Sequence, residues 1–357
     1  LIHDYGWSDA LQEHFDSYAA RGFAPGRVIA QQRGLLRLAT DAGELSAELS
    51  GRFIHEAAEG DHPVTGDWVA AALRPAEGTA TVHHVLPRRT VFTRRAAGPA
   101  GGAQVVAANV DVALLTASLN ADFNPRRLER YLASAWESGA APVVVLTKAD
   151  ACDDSETYVA EVEPIAWGAP IHVVSAVTGA GMADLAARLE IGKTAVVLGS
   201  SGVGKSTLVN TLAGAALMAT QAIREDDAHG RHTTTHRELV RLPSGALILD
   251  TPGMRELGLW DAEAGMSTAF GDVEALAAEC RFNDCAHGRE PGCAIRAALE
   301  CGDLDPGRWR NYQKLQKELQ YEADRADPHA AREAARRFHR PIAKANRARR
   351  KERARDW

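Results

Sequence analysis

The stretch "GSSGVGKST", Gly199–Thr207, follows the apolar run "TAVVLG" and opens into the helical stretch "STLVNTLAG". Glycines at its first, fourth and sixth positions let successive backbone N–H groups turn inward around an anion. The helix that follows adds the partial positive charge of its N-terminus. Lys205 in this pattern reaches β- and γ-phosphates, and the Ser206 hydroxyl faces Mg²⁺. A strand, this loop and a helix, in that order, predict an α/β domain with a phosphate site at a strand's carboxyl end. Gly199, Ser200, Ser201, Gly202, Val203, Gly204, Lys205, Ser206 and Thr207 are the expected contacts.

Working outward, "ALILDTPG" places Asp250 at the end of another apolar run, suited to holding Mg²⁺ through water, with the Gly253 N–H facing a γ-phosphate. Between the two lies "GRHTTTHREL", Gly230–Leu239, where Thr233 and Thr234 are candidates to complete the Mg²⁺ shell; Thr234 is taken as the ligand. Upstream of the phosphate loop, "APVVVLTKAD" ends in Thr147, Lys148 and Asp150. An Asp carboxylate accepts two hydrogen bonds from the guanine N1–H and N2–H₂ edge, which adenine does not offer. Lys148 lays its stem on the base. "SAVTGAG" brings backbone N–H groups near Ser175 and Ala176 to the guanine carbonyl. Every part of a guanine-nucleotide site is present, but the base-reading half precedes the phosphate half.

The order TKAD, SAVTG, GSSGVGKST, GRHTTT, DTPGMRE resembles that of the circularly permuted GTPases and, among them, the ribosome small subunit-dependent GTPase A family, RsgA. "HPVTGDWV", His62–Val69, and "LPRRTVFTRR", Leu86–Arg95, match its β-barrel module, and the similarity runs from Gly6 to about Tyr321. From Arg27 to about Arg95, short alternating segments broken by Gly, Pro and Asp suit a barrel of about five strands. An amphipathic helix with Leu11, Phe15 and Tyr18 on one face precedes it, and "AAGPAGGAQ", Ala96–Gln104, reads as a linker. The expected fold is multidomain. A helix and an oligonucleotide-binding (OB) type β-barrel occupy residues 1–103, and a central α/β circularly permuted GTPase domain occupies 104–262. A mainly helical zinc-binding domain at 263–322 and a basic helical tail at 323–357 complete it.

Cys280-x₄-Cys285-x-His287-x₅-Cys293 offers three thiolates and an imidazole within 14 residues, the donor set of a closed, structural Zn²⁺ site. Cys301 is a possible replacement ligand that its distance and the family pattern disfavour, and Cys152 is expected to be inert. Four of the five cysteines crowd into 22 residues, which suggests metal binding in a reducing compartment rather than a disulfide framework. No apolar run approaches a membrane span, and no secretory leader is visible; a cytoplasmic protein without membrane contact is expected.

Net charge is -6, unevenly spread. From Tyr321 to Trp357 there are twelve Lys or Arg against six Asp or Glu, which leaves -12 on the preceding 320 residues. A basic tail on an acidic body implies a polyanionic partner of the tail's own, the alternative being a solvated helix of mixed charge. The family resemblance implies the small ribosomal subunit and its 16S rRNA, engaged late in the particle's maturation by a monomer that cycles between GTP and GDP, with rRNA contacts from the barrel, the zinc module and the tail. Arg88, Arg89, Arg94 and Arg95 of the barrel segment are expected phosphate contacts, and Trp68 either stacks on a base or fills the barrel.

Met254 follows Gly253 where many GTPases place a water-orienting Gln. A thioether cannot hold water by hydrogen bonding, so intrinsic hydrolysis should be slow. His232 is the leading candidate to orient or deprotonate the water, with His229 and His236 behind it. The catalytic set is thus Lys205, Thr234, Gly253 and His232. The competing readings are a GTP-regulated RNA-binding protein with incidental hydrolysis, and a metabolic or signalling GTPase with unrelated flanking modules.

Overall fold

The computed structural model describes residues 1–32, 34–58, 60–95, 103–216, 237–250 and 262–326. Helix α1 (Asp9–Ala19) buries Leu11 and Phe15 on one face, and Tyr18 packs beside Phe15. Five strands follow: β1 (Ala24–Gln32), β2 (Leu35–Thr40), β3 (Gly43–Leu49), β4 (Trp68–Arg74) and β5 (Thr79–Val85). They pair in the order β1-β2-β3-β5-β4, and β4 returns to β1, closing a barrel. Alternation drives the closure. In β3, Leu45 and Ala47 are buried while Glu44, Ser46 and Glu48 are exposed. Val28, Leu38, Val69 and Val82 fill the same interior, each worth about 1.5–3 kcal/mol of burial. Helix α2 (Gly51–Glu56) sits between β3 and β4, capped by Ser50, whose hydroxyl accepts from the Phe53 N–H.

Strands β6 (Val91–Arg95) and β7 (Ala103–Ala108) form a separate antiparallel ribbon. Ala103 and Gln104, read above as the end of a linker, pair with Arg95 and Arg94 instead. The α/β unit then runs β8 (Val112–Ser118), α3 (Pro125–Ser138), β9 (Ala141–Thr147), α4 (Ser155–Val162), β10 (Ile171–Val173) and α5 (Met182–Ala186). It continues with β11 (Thr194–Leu198), α6 (Lys205–Ala213), β12 (Arg237–Arg241) and β13 (Leu247–Asp250). The sheet order is β10-β9-β8-β11-β13-β12, parallel except for β12. Its apolar strands are buried on both faces. Leu114, Val145 and Ile248 join one core, while their neighbours Leu115, Val144 and Leu249 join the other.

The outer strand β12 is not left as an open edge. Ala30 and Gln31 of β1 pair antiparallel with Glu238 and Arg237, so the barrel and the α/β sheet are continuous. A register shift between Val28 and Ala30 lets β1 serve both neighbours.

Beyond residue 262 the chain is helical: α7 (Glu263–Ala269), α8 (Gly271–Ala278), α9 (Ala294–Cys301) and α10 (Pro306–Ala326). Helix α7 packs closely on α3. A Cβ at Gly265 would lie 2.1 Å from the Ala133 carbonyl oxygen, so only glycine permits this approach. Thr233, Thr234, His229, His232, His236, Gly253 and Met254, and the chain beyond residue 326, lie outside the described residues.

Candidate nucleotide and metal sites

The parallel strands carry the sequence motifs to one edge of the sheet. TKAD follows β9, Ser175 and Ala176 follow β10, Gly199–Gly204 follow β11, and Asp250 ends β13. The side chain of Asp250 lies outside the described part of the molecule. The register of β12 pairs Glu238 with Asp250, so β12 begins at this same edge.

In the phosphate loop, Gly199 is demanded by close approach: a Cβ there would meet the Thr116 Oγ1 at 2.1 Å. The Thr116 hydroxyl donates to the Leu198 carbonyl at 2.7 Å, tying β8 to the start of the loop. Val203 is buried as the loop's apolar anchor, and Gly204, at φ 99°, starts α6. Lys205 Nζ donates to the carbonyls of Gly199, at 2.7 Å, and Ser200. It therefore lies inside the loop's curve, where a phosphate oxygen competes for the same ammonium. Ser206 and Thr207 occupy the first turn of α6, half-buried and exposed respectively.

The base-reading half is joined directly to this loop. The Thr147 hydroxyl donates to the Val203 carbonyl at 2.6 Å across 56 residues of chain. Lys148 adopts φ 61°, a left-handed conformation that turns the chain sharply before Asp150. Asp150 Oδ1 accepts from the Ser175 hydroxyl at 2.5 Å. The same oxygen of Ser175 accepts from the N–H groups of Val177 and Thr178, which fixes its rotamer.

One expectation changes here. The Ser175 N–H donates to the Ala180 carbonyl at 2.9 Å and is not free for a guanine carbonyl. The Ser175 hydroxyl instead holds Asp150. Sequence reading missed this because a serine's hydroxyl and its amide point to different tasks only once the turn is known.

Cys280, Cys285, His287 and Cys293 converge, with their donor atoms all within 4.8 Å of one another. His287 Nδ1 stands 3.6 Å from the sulfurs of both Cys280 and Cys293, and those sulfurs are 4.0 Å apart. Tetrahedral bonds of about 2.3 Å to sulfur and 2.0 Å to nitrogen give edges of roughly this length, so the donor set fits one metal ion. His287 packs edge-on against Trp309, which holds the imidazole plane. Cys301 is apart from the cluster and bonds Asp303 at 3.0 Å.

A buried ionic cluster, unread in the sequence, fastens this module to α3. Glu129 is fully buried and accepts from Arg308 at 3.0 Å and from Asn311 and Arg126 at 2.5 Å each. Arg308, 5% exposed, also grips both oxygens of Asp272, at 2.8 and 2.5 Å, and lies over the Phe270 ring. Burial alone would lower the Arg308 pKa, but its bonds to Asp272 and the Glu129 charge hold it above the ordinary value.

The barrel has its own clamp. Arg27 is buried and donates to the carbonyls of Tyr5, Gly66 and Asn109 and to the Thr194 hydroxyl at 2.8 Å. It thus joins barrel, N-terminus and sheet, and burial pulls its pKa down to about 10. Trp68 is buried against Trp7 in the core that α1 shares, while its neighbour Val69 faces the barrel interior, so Trp68 neither stacks on a base nor fills the barrel. Arg88 is likewise no phosphate contact: it pairs through two nitrogens with buried Asp67, both at 2.8 Å. Burial raises the Asp67 carboxyl, and Arg88 opposes that rise. Arg89 pairs with Asp111 and Arg94 bonds Gln104, while the side chain of Arg95 is outside the described part. No helix among the described residues is long and apolar enough to cross a membrane.

Comparison with known proteins gives the same outline. Residues 85–260 match the family model described as RsgA GTPase. The small ribosomal subunit biogenesis GTPase RsgA of Opitutus terrae is 50% identical over 337 residues, covering 92% of each chain. That of Syntrophotalea carbinolica is 45% identical over 326 residues, covering 89% of each. The crystal structure of YjeQ from Thermotoga maritima superimposes with a TM-score of 0.61 at 26% identity, covering 84% of this chain and 99% of that one. The barrel, the permuted α/β sheet and the Cys₃His helical module therefore belong to a member of the RsgA GTPase family.

Proposed function

We propose that this chain binds the small ribosomal subunit and hydrolyses GTP to GDP and phosphate there, late in the particle's maturation. The observation that carries the reading is the Ser175–Asp150 pair beside a phosphate loop bonded to Thr147, a guanine reader and a phosphate cradle built as one site. The names of its relatives supply the particle. The working units are the barrel at 1–103, the GTPase domain at 104–262, the zinc module at 263–322 and the tail at 323–357.

Thr147, Lys148, Asp150, Ser175 and Ala176 hold the base in this scheme, and Gly199 to Thr207 hold the phosphates. Ser206, Thr234 and Asp250 would hold Mg²⁺, which neutralises charge between the β- and γ-phosphates when bound with GTP. Lys205 and the Gly253 N–H stabilise negative charge gathering on the transferred phosphoryl group. Met254 cannot position water, so His232 takes that role. Zn²⁺ at Cys280, Cys285, His287 and Cys293 supplies folding energy to a segment too small for its own core. The 16S rRNA is the polyanion met by the basic tail. The protein works in the cytoplasm as a monomer.

GTP turnover measured alone, with purified small subunits and with large subunits tests this. Strong stimulation by small subunits alone is expected. GTP-dependent binding without turnover would favour an RNA-binding protein whose hydrolysis is incidental, and no response to either particle would exclude both.

A further inference from the structure

We propose that Thr147 donates to no atom of the base, so that this chain recognises guanine by its Watson–Crick edge and accepts nucleotides of 7-deazaguanine as readily as those of guanine. The inference deepens the reading above and rests on it, since Asp150 is taken as the reader of N1–H and N2–H₂. It narrows the task of Thr147 from holding the base to holding the phosphate loop, which makes it a positioning residue.

A threonine hydroxyl has one hydrogen to give. The two partners of the Thr147 Oγ1 are both carbonyl oxygens, Val203 at 2.6 Å and Ala117 at 3.3 Å, so that hydrogen is committed to the backbone whichever it meets. Thr147 is 5% exposed, and turning its hydroxyl away would leave a buried polar group unpaired.

The position of this hydroxyl gives the commitment its consequence. Its Oγ1 is 3.9 Å from the point where a Cβ on Gly204 would lie, at the start of α6, and Asp150 follows three residues later, beyond the turn at Lys148. A guanine with N1–H and N2–H₂ on Asp150 and its phosphates in the loop turns its five-membered ring toward the chain between them. N7 and O6 on that edge are acceptors and need donors, whereas Thr147 has only lone pairs left to offer. Two neighbouring hydroxyls are committed as well: Ser175 donates to Asp150, and Thr116 donates to the Leu198 carbonyl. An asparagine at position 147 would differ in kind. Its amide carries two hydrogens, one for Val203 and one for N7.

The test is calorimetric titration of the full zinc-loaded chain with GDP, with 7-deaza-GDP, in which C–H replaces N7, and with ADP. The wild type should bind 7-deaza-GDP within about twofold of GDP, because no hydrogen bond is lost. Thr147→Asn should prefer GDP over 7-deaza-GDP by about fivefold, the net effect of one neutral hydrogen bond. Thr147→Val should weaken both about 3–10-fold and leave their ratio unchanged, as loss of the tie to the loop does and loss of a base contact does not. Should Thr147→Asn fail to fold, judged by zinc content and tryptophan fluorescence, the wild type and Thr147→Val decide alone. A wild type that binds 7-deaza-GDP about tenfold or more weakly than GDP overturns the proposal. That holds whether Thr147→Val abolishes the gap, making Thr147 a base reader, or keeps it, making another donor one. A folded Thr147→Asn without a preference overturns the placement of Thr147 at the N7 edge. If the wild type prefers GDP to ADP yet rejects 7-deaza-GDP, the guanine reading stands and this inference alone fails. If ADP binds as tightly as GDP, the guanine reading fails and takes the inference with it.

Discussion

Replacing Glu129 with alanine removes the one carboxylate at the centre of the contact between α3 and the zinc module. In the folded protein Glu129 is fully buried and takes three charged or polar donors, Arg126, Arg308 and Asn311. Breaking one partner of a buried ion pair typically costs about 3–5 kcal/mol, because the other charge stays buried. Arg308 keeps its two bonds to Asp272, whose side chain is 48% exposed, so the lower end of that range, about 3 kcal/mol, applies. Arg130→Ala is the matched control, since the Arg130–Glu318 pair is partly exposed and should be worth no more than about 1 kcal/mol. Urea unfolding of the zinc-loaded chain is followed by zinc release and by tryptophan fluorescence. Zinc release should move to clearly lower urea for Glu129→Ala and barely move for Arg130→Ala, with GDP affinity kept in both. Equal shifts for the two variants, or none for Glu129→Ala, would refute the claim that this cluster holds the module in place.

Two further outcomes follow from the same geometry. Chelating the metal should expose Cys280, Cys285 and Cys293 to thiol reagents and cost small-subunit binding, while nucleotide affinity persists because the two sites share no residue; retained particle binding by the metal-free chain would argue against a folding role for the ion. Arg27→Met should destabilise the chain by about 2–4 kcal/mol, since it leaves buried carbonyls of Tyr5, Gly66 and Asn109 without their shared donor; a change under about 0.5 kcal/mol in thermal or urea unfolding would show that water or repacking replaces the guanidinium.

What the sequence made legible was local chemistry. The phosphate loop, TKAD and the Cys₃His spacing each carry their meaning within a dozen or so residues, and continuous apolar strands place such loops at one sheet edge. The β-barrel was likewise readable, because Leu45 and Ala47 alternate with Glu44, Ser46 and Glu48. What stayed hidden depends on distant partners. Arg27 is the first letter of "RVIAQQRG" and looks like a solvated strand start until Thr194 is seen beside it. Glu129 and Arg308 are 179 residues apart, and on their own helices each reads as an ordinary surface charge. Arg88 looked like a phosphate ligand for the same reason, its partner Asp67 lying in another turn. The pairing of β1 with β12 joins two units whose strands are each complete patterns alone.

In the proposed scheme two halves of a guanine site, reversed in the chain, act as one. Its most direct test is calorimetric titration of GDP and ADP into the wild type and Asp150→Asn. The wild type should bind GDP and reject ADP. Asp150→Asn should lose roughly 10²-fold or more in GDP affinity, because the amide meets guanine donors with a donor of its own. Wild-type binding of ADP on a par with GDP, or undiminished GDP binding by Asp150→Asn, would contradict the account.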